Sequence, residues 1–207
     1  FYGSEGMGLR ADNLKVHVMI AAWEWGSYLG DDNMKNGIRI RKSSYIRHHA
    51  HPDLSGAKMN GNYINSIMAL KEAQSHGFDE ALMLDVEGSV SEGSGENIFV
   101  IKDEVLYTPH LSSALPGITR DTIFTLAKSL GHKVVEKKIS CEDIYQADEA
   151  FFTGTAAEVT PIRDLDGNQI GIGSRGLITE KLQSLYFDCV HGRNDEYLHW
   201  IESGRCS

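Results

Sequence analysis

Strands and helices alternate along this chain without the regular strand-helix-strand rhythm of a doubly wound sheet. Residues 97–109 (NIFVIKDEVLYTP) read as two strands that fold back at Lys102, Asp103 and Glu104, and Asp166-Gly167 predicts a second tight hairpin. Strands joined by tight turns run antiparallel, whereas each parallel pair needs a crossover. The sequence therefore predicts an α/β fold of the mixed α+β kind, in which a pseudo-barrel of mixed strands is surrounded by helices.

The remaining elements are predicted from apolar spacing and capping residues. Strands are expected at 15–23, 39–46, 81–86, 132–139 and 149–153. Helices are expected from about 62 to 76, from Pro116-Gly117 to Gly131, after the Ser140/Asp143 capping pattern, and from 177 to 189.

Composition excludes several classes of partner. The chain has 207 residues, 41% of them hydrophobic, which is enough for one full core and part of a second unit. With 20 Lys and Arg against 29 Asp and Glu, a net charge of -9 argues against nucleic acid and membrane partners. Three widely spaced cysteines suit reduced thiols in a cytoplasmic protein. The chain begins Phe1-Tyr2-Gly3-Ser4 without Met, so we expect a preceding segment to be missing.

Four stretches carry the residue types of a catalytic site. They are 57–63 (AKMNGNY), 91–99 (SEGSGENIF), 113–120 (SALPGITR) and 154–158 (GTAAE). Taken singly each has a commoner explanation: an exposed Lys58, a turn with one acid at Glu92, or a plain helix start after Pro116. Taken together, a lysine beside small residues, an acid and a helix start supply an amine, a carboxylate and an anion cradle.

These four stretches resemble those of the class IV, fold-type IV aminotransferases, which depend on pyridoxal 5'-phosphate. The resemblance extends in unbroken order from residue 1 to about residue 191. Within that class the likeness is to branched-chain amino acid aminotransferases. It implies that this chain lacks most of the N-terminal small domain of that family. The resemblance implies the large domain of the D-amino acid aminotransferase-like fold. It divides the chain into a remnant of the small domain (1–31), a linker (32–37) and a cofactor-binding domain (38–207).

The resemblance also assigns roles to individual residues. Lys58 becomes the catalytic residue that holds the cofactor as an internal aldimine, and such an amine must be sheltered from water. Glu92, rather than Glu96, faces the ring nitrogen, and Tyr63 faces the phenolate oxygen. Cofactor binding is thus assigned to Lys58, Tyr63, Glu92, Leu115, Ile118, Thr119 and Thr155, and substrate binding to Trp25, Thr155 and Ala156, with Tyr28 beside Trp25 in the aliphatic pocket.

The implied reaction moves the amino group of Leu, Ile or Val to 2-oxoglutarate, in branched-chain amino acid metabolism in the cytoplasm. A homo-oligomer, dimer or higher, is implied as well. Because an arginine for the phosphate and further carboxylate-binding residues belong to the small domain in this family, we expect this chain alone to bind cofactor weakly and to be impaired or inactive.

Other interpretations fit part of the same pattern. A D-amino acid aminotransferase or an aminodeoxychorismate lyase of this fold would share the lysine, the acid and the phosphate loop. A non-catalytic α/β module that binds a small molecule is the alternative from another class. His48, His49 and His51 lack nearby ligands at a recognisable spacing, so no metal site is predicted.

Overall fold

The computed structural model describes residues 14–24, 26, 28–47 and 57–201. Its strands are β1 (Ile38–Lys42), β2 (Glu80–Leu84), β3 (Val90–Gly93), β4 (Asn97–Lys102), β5 (Val105–Thr108), β6 (Val134–Glu136), β7 (Glu149–Gly154), β8 (Glu158–Leu165) and β9 (Asn168–Gln169). Its α-helices are α1 (Asn33–Asn36), α2 (Tyr63–Ser75), α3 (Ile118–Ser129), α4 (Cys141–Tyr145) and α5 (Leu177–Val190), with 3-10 turns at Asn60–Asn62 and Asp195–Trp200.

The described strands form one mixed sheet in the order β3-β2-β1-β8-β7-β4-β5-β6, with β9 paired to β8. Strand β1 runs parallel to both β2 and β8, and β5 runs parallel to β6. The pairs β2/β3, β4/β5, β4/β7 and β7/β8 are antiparallel. Mixed pairing of this kind is what the tight turns in the sequence predict.

The sheet curls because its first and sixth strands are tied together. Strands β3 and β4 stand at these two places in the order, yet only residues 94–96 separate them in the chain. The Gly93 N–H donates to the Glu96 carbonyl at 2.7 Å across this connection. The edge of the sheet therefore returns to its middle, which gives the predicted pseudo-barrel.

Strand β4 separates two apolar cores. Ile98 and Val100 belong to the cluster on one side of the sheet, and Phe99 and Ile101 belong to the cluster packed against α3 and α5. The Phe99 ring stacks on that of Phe151 with centroids 5.1 Å apart. Because both faces are covered, this strand reads as a continuous apolar run rather than as an alternating one.

Both predicted hairpins are confirmed. Asp103 and Glu104 adopt φ values of 49° and 62°, and Asp166 and Gly167 adopt 54° and 86°. Positive φ at both central residues is typical of the two-residue turns whose twist matches that of the flanking strands. The predicted helices are also present, with ends within about three residues of those expected.

One expected strand is absent, and one strand of the sheet was not expected. Residues 14–24 have no regular structure, and Val16, Met19 and Ile20 are exposed, although 15–23 was expected to form a buried strand. An apolar run favours a strand only where a partner strand is available to it. Strand β3 was not expected at all, because its Ser, Glu and Gly residues resemble a turn; its pairing with β2 is a tertiary effect.

The predicted linker 32–37 contains α1, which packs against β8 and leads directly into β1. The division of the chain at residues 31 and 38 stays a prediction. Within the residues that the structure describes, no helix is long and apolar enough to cross a membrane.

The N-terminus of α4 offers a test of local stability. The Ser140 hydroxyl accepts the Asp143 N–H at 3.1 Å, and the Asp143 carboxylate accepts the Ser140 N–H at 2.8 Å. Ser140→Ala removes one half of this capping box, so the free energy of unfolding should fall by about 1 kcal/mol. Chemical denaturation measures the change. Ser184→Ala, at an exposed position inside α5, should cause no loss; an equal loss in both variants would contradict the capping role.

Candidate active site

A cavity of about 200 Å³ opens where β3, β4, the start of α3 and the β7/β8 loop meet. All seven residues that the sequence assigns to cofactor binding line it: Lys58, Tyr63, Glu92, Leu115, Ile118, Thr119 and Thr155. They come from four separate stretches of the chain, and the curled sheet brings those stretches together. Their individual roles stay predictions.

Glu92 is a buried carboxylate at the base of this cavity, with 4% of its surface exposed. Arg47 Nε lies 2.7 Å from its Oε1, and Arg47 is itself buried. The Asn97 side-chain amide donates to Oε2 at 3.1 Å, and the Leu115 N–H donates to the same oxygen at 3.0 Å. Glu92 is therefore held by three donors and is not the exposed acid of a turn.

Burial and pairing act in opposite directions on Glu92. Burial raises the pKa of its carboxyl, because the charged form loses its hydration. The guanidinium of Arg47, the N–H of Leu115 and the ammonium of Lys58 oppose that rise. The protonation state of Glu92 consequently depends on these partners being present.

Like Arg47, Asn97 was not assigned to the site from the sequence, although it lies within the 91–99 stretch. Its amide group donates to the Leu115 carbonyl at 2.8 Å as well as to Glu92. A Cβ atom at Gly117 would come within 2.2 Å of the Asn97 side-chain oxygen, so only glycine fits there. The hydrogen bond from Asn97 to Leu115 holds the start of β4 against the loop that precedes α3.

The start of α3, where it lines the cavity, has the character of an anion site. Helix α3 begins after Gly117, which has no side chain that could cap the first N–H groups of the helix. Ile118 and Thr119 supply backbone donors there, Thr119 adds a buried hydroxyl, and Thr155 faces them from the β7/β8 loop. Free N–H groups at the positive end of a helix attract phosphate.

Lys58 lies on the open side of the cavity. It is followed by the 3-10 turn Asn60–Asn62 and then by α2, whose first residue is Tyr63. The side chain is exposed, as are Met59 and Asn60 beside it, which contradicts the expectation that the amine is sheltered from water. Its charge nevertheless lowers the pKa of Glu92, so amine and acid face one space.

Two of the predicted substrate residues, Thr155 and Ala156, line an adjoining cleft of about 420 Å³. Thr155 lines both spaces, and Ala156 and Tyr28 line only the cleft. Trp25 lies outside the described residues, as do His48, His49 and His51. Among the residues that are described, no group of three or more His, Cys, Asp or Glu is placed to hold a metal ion.

Two further buried acids border the site and were not assigned by the sequence. Glu96 lines the cavity with 4% of its surface exposed, and Glu80 on β2 is fully buried. Burial raises the pKa of Glu96 to about 8, and the neighbouring charge of Glu80 adds to the rise. Their proximity follows from the antiparallel pairing of Leu82 with Gly93, which places Glu80 beside the 94–96 connection.

The residues fit a flat, phosphorylated, nitrogen-containing ring. A buried acid, an uncapped helix start and a lysine all line the one cavity. Gly95 also lines the cavity, and a Cβ built on it would meet no atom, so a ring can approach the backbone there. Donors for the phosphate, an anion for the ring nitrogen and an amine for the aldehyde are all present.

The sequence profile of the family described as amino-transferase class IV matches residues 2–165. The chain therefore belongs to the class IV aminotransferases, enzymes that depend on pyridoxal 5'-phosphate.

The relatives agree on one subgroup. The chain is 61% identical to the branched-chain-amino-acid aminotransferase of Pseudomonas aeruginosa over 200 residues, which cover 97% of this chain and 65% of that protein. It is 45% identical to the Escherichia coli K12 enzyme of the same name, covering 98% of this chain and 66% of that one. The chain thus spans about two thirds of the length of these relatives.

Solved structures confirm the predicted fold. The crystal structure of the Escherichia coli branched-chain amino acid aminotransferase matches with a TM-score of 0.85 at 45% identity, covering 88% of this chain and 60% of that one. The branched-chain aminotransferase of the thermophilic archaeon Thermoproteus uzoniensis, solved with norvaline, matches with a TM-score of 0.82 at 45% identity, covering 88% and 59%.

The pKa of Glu96 predicts a pH effect on stability. Because this pKa rises from 4.5 to about 8 on folding, the folded state binds the proton more tightly than the unfolded state. The stabilisation from this group is full below the unfolded value and is lost as the pH rises towards 8. Glu96→Gln, which never ionises, should flatten the fall, as measured by urea denaturation across this pH range.

Glu104→Gln is the control for this measurement, because Glu104 is exposed. It should reproduce the pH dependence of the unchanged protein. If Glu96→Gln also kept the full slope, Glu96 would be ionised in the folded protein at neutral pH.

Proposed function

We propose that the protein is a pyridoxal-phosphate-dependent transaminase that moves the amino group of Leu, Ile or Val to 2-oxoglutarate, with Lys58 as the covalent attachment point of the cofactor. The observation that carries the proposal is the meeting of Lys58, Glu92 and the uncapped start of α3 in one cavity. The names of the most similar relatives support the choice of branched-chain substrates.

Pyridoxal 5'-phosphate, when bound, supplies an electron sink that makes the substrate's Cα proton acidic. Glu92 would hold the ring nitrogen in its protonated form, because a carboxylate beside it favours the cation. The N–H groups of Ile118 and Thr119, with the Thr119 and Thr155 hydroxyls, would bind the phosphate. Tyr63 would donate to the phenolate oxygen.

Lys58 has a second role in this proposal. When it is free, its amine would take the proton from the substrate Cα, which the bound cofactor makes acidic, and would hold that proton within the cavity for transfer back to the product. The exposed position of Lys58 leaves it room to move between these two tasks. Thr155, Ala156 and Trp25 would bind the substrate, the first two at its carboxylate and Trp25 along its aliphatic side chain.

We further propose that the protein acts in the cytoplasm as a dimer or larger homo-oligomer, in branched-chain amino acid metabolism. Cys141 and Cys189 are free thiols, which suits a reducing compartment. The oligomer follows only from the family, and the mass of the intact assembly in solution decides it.

Replacing Lys58 tests the central assignment. In the intact protein, Lys58→Ala should abolish the absorbance of covalently bound cofactor and lower transamination by several orders of magnitude, because attachment and proton transfer both use this amine. Lys71→Ala, at an exposed position on α2, should change neither. Borohydride reduction should label one lysine in the unchanged protein; labelling that persists in Lys58→Ala would reject the assignment, and no labelling at all would favour a non-catalytic binding module.

The substrate class is tested by comparison within the fold. The intact protein should transaminate L-leucine, L-isoleucine and L-valine with 2-oxoglutarate as acceptor, and the corresponding 2-oxo acids are measured. D-alanine and aminodeoxychorismate serve as the competing substrates. Turnover of D-alanine alone would identify a D-amino acid aminotransferase, and release of pyruvate from aminodeoxychorismate alone would identify a lyase.

A further inference from the structure

Arg47 is a buried arginine that touches three separate parts of the fold. Its Nε lies 2.7 Å from Oε1 of Glu92 on β3. Its Nη1 donates to the Ser66 hydroxyl of α2 at 2.9 Å, and its backbone N–H donates to the Leu84 carbonyl, at the end of β2, at 2.7 Å. Arg47 thus connects the strand that carries Glu92 to the helix that follows Lys58.

An arginine suits this place because the guanidinium group is planar and donates in several fixed directions at once. Nε contacts the Glu92 carboxylate and Nη1 donates to the Ser66 hydroxyl. Because both nitrogens belong to one planar group, the angle between the two contacts is fixed. A lysine carries the same charge on one freely rotating nitrogen. Burying an ion pair of this kind adds little net stability, so its effect has to be sought in the geometry that it holds.

The donors around Glu92 leave room for one more. An ionised carboxylate offers about four acceptor positions. Three are used, by Arg47 at 2.7 Å, by Asn97 at 3.1 Å and by the Leu115 N–H at 3.0 Å. Counting only the residues that the structure describes, one position is left for a protonated ring nitrogen in the cavity.

We infer that Arg47 is a positioning residue, which fixes the Glu92 carboxylate in the cavity that Lys58 also lines and favours its charged form, so that a ring nitrogen bound there is held as a cation. The inference rests on the proposed function, because the ring belongs to the cofactor named there. Arg47 acts through Glu92 and exchanges no proton itself, since a guanidinium stays protonated in proteins.

The charges that face Glu92 explain why Arg47 matters. Burial raises the pKa of Glu92, and Arg47 opposes the rise more strongly than Lys58 or Arg120. Glu96 also lines the cavity, but burial raises its pKa to about 8, so near neutral pH it carries little charge that would oppose ionisation of Glu92. Loss of Arg47 removes the strongest of the charges that oppose the rise, so the pKa of Glu92 should rise further and the carboxyl should become a poorer anionic partner for the ring nitrogen.

The test compares two probes on the intact protein: pyridoxal 5'-phosphate and its carbocyclic analogue, in which a C–H group replaces the ring nitrogen. Arg47→Met should weaken binding of pyridoxal 5'-phosphate by about tenfold or more, by analogy with the loss of a residue that orients a metal ligand. The analogue should be weakened far less, because it has no ring nitrogen to meet Glu92. Arg193→Met, at an exposed arginine paired with Asp188, should alter neither.

Infrared difference spectra give a readout that needs no cofactor. Arg47→Met should show a protonated-carboxyl band that is absent from the unchanged protein and from the double variant Arg47→Met, Glu92→Gln. Absence of that band, or equal weakening of both probes, would overturn the inference.

A variant that keeps the charge covers the case in which Arg47→Met does not fold. Arg47→Lys should also weaken pyridoxal 5'-phosphate more than the analogue, and equal weakening would again overturn the inference. If the unchanged protein bound neither probe, the proposed function itself would fail. If Arg47→Met bound pyridoxal 5'-phosphate as tightly as the unchanged protein, only the role of Arg47 would fail.

Discussion

The site depends on a carboxylate that has been removed from water. Glu92 sits within a sheet strand with 4% of its surface exposed, and an acid in that position is either neutralised or paired. The fold pairs it from three directions, through Arg47, Asn97 and the backbone of Leu115. Each partner lies on a different segment, so holding this one charge also holds the segments around the cavity in register.

The curl of the sheet is what makes this pairing possible. Strand β3 is the outermost strand on one side, yet a three-residue connection joins it to β4 in the middle of the sheet. The loop before α3 is held against the same place by Asn97 and by a glycine that no larger residue can replace. Residues far apart in the chain, such as Lys58 and Thr155, therefore line one cavity.

Much of this arrangement was readable from the sequence, because local chemistry encodes it. The Asp166-Gly167 hairpin, the capping box at Ser140 and the helix start after Gly117 are each specified by adjacent residues. Seven of the residues that line the cavity were predicted from motifs that resemble those of a known family, whereas Arg47, Glu96 and Asn97 were not.

What could not be predicted depends on contacts between distant segments. Arg47 and Glu92 are far apart in the chain, and no spacing in the sequence indicates that they meet. The apolar residues of 14–24 predicted a buried strand, but a pattern of residue types carries no information about the partner such a strand would need. The exposure of Lys58 was missed for the same reason, since burial is a property of the surrounding segments.

The uncapped start of α3 makes the stability of the fold depend on the ligand that binds there. The first N–H groups there have no partner within the helix, and no side-chain cap is present at Gly117. A bound phosphate would complete the helix in the way that a capping residue does elsewhere, and it would do so only in the folded state. Binding of the phosphate group then stabilises the folded state by mass action, so the protein should resist unfolding better at a high concentration of its ligand than at a low one.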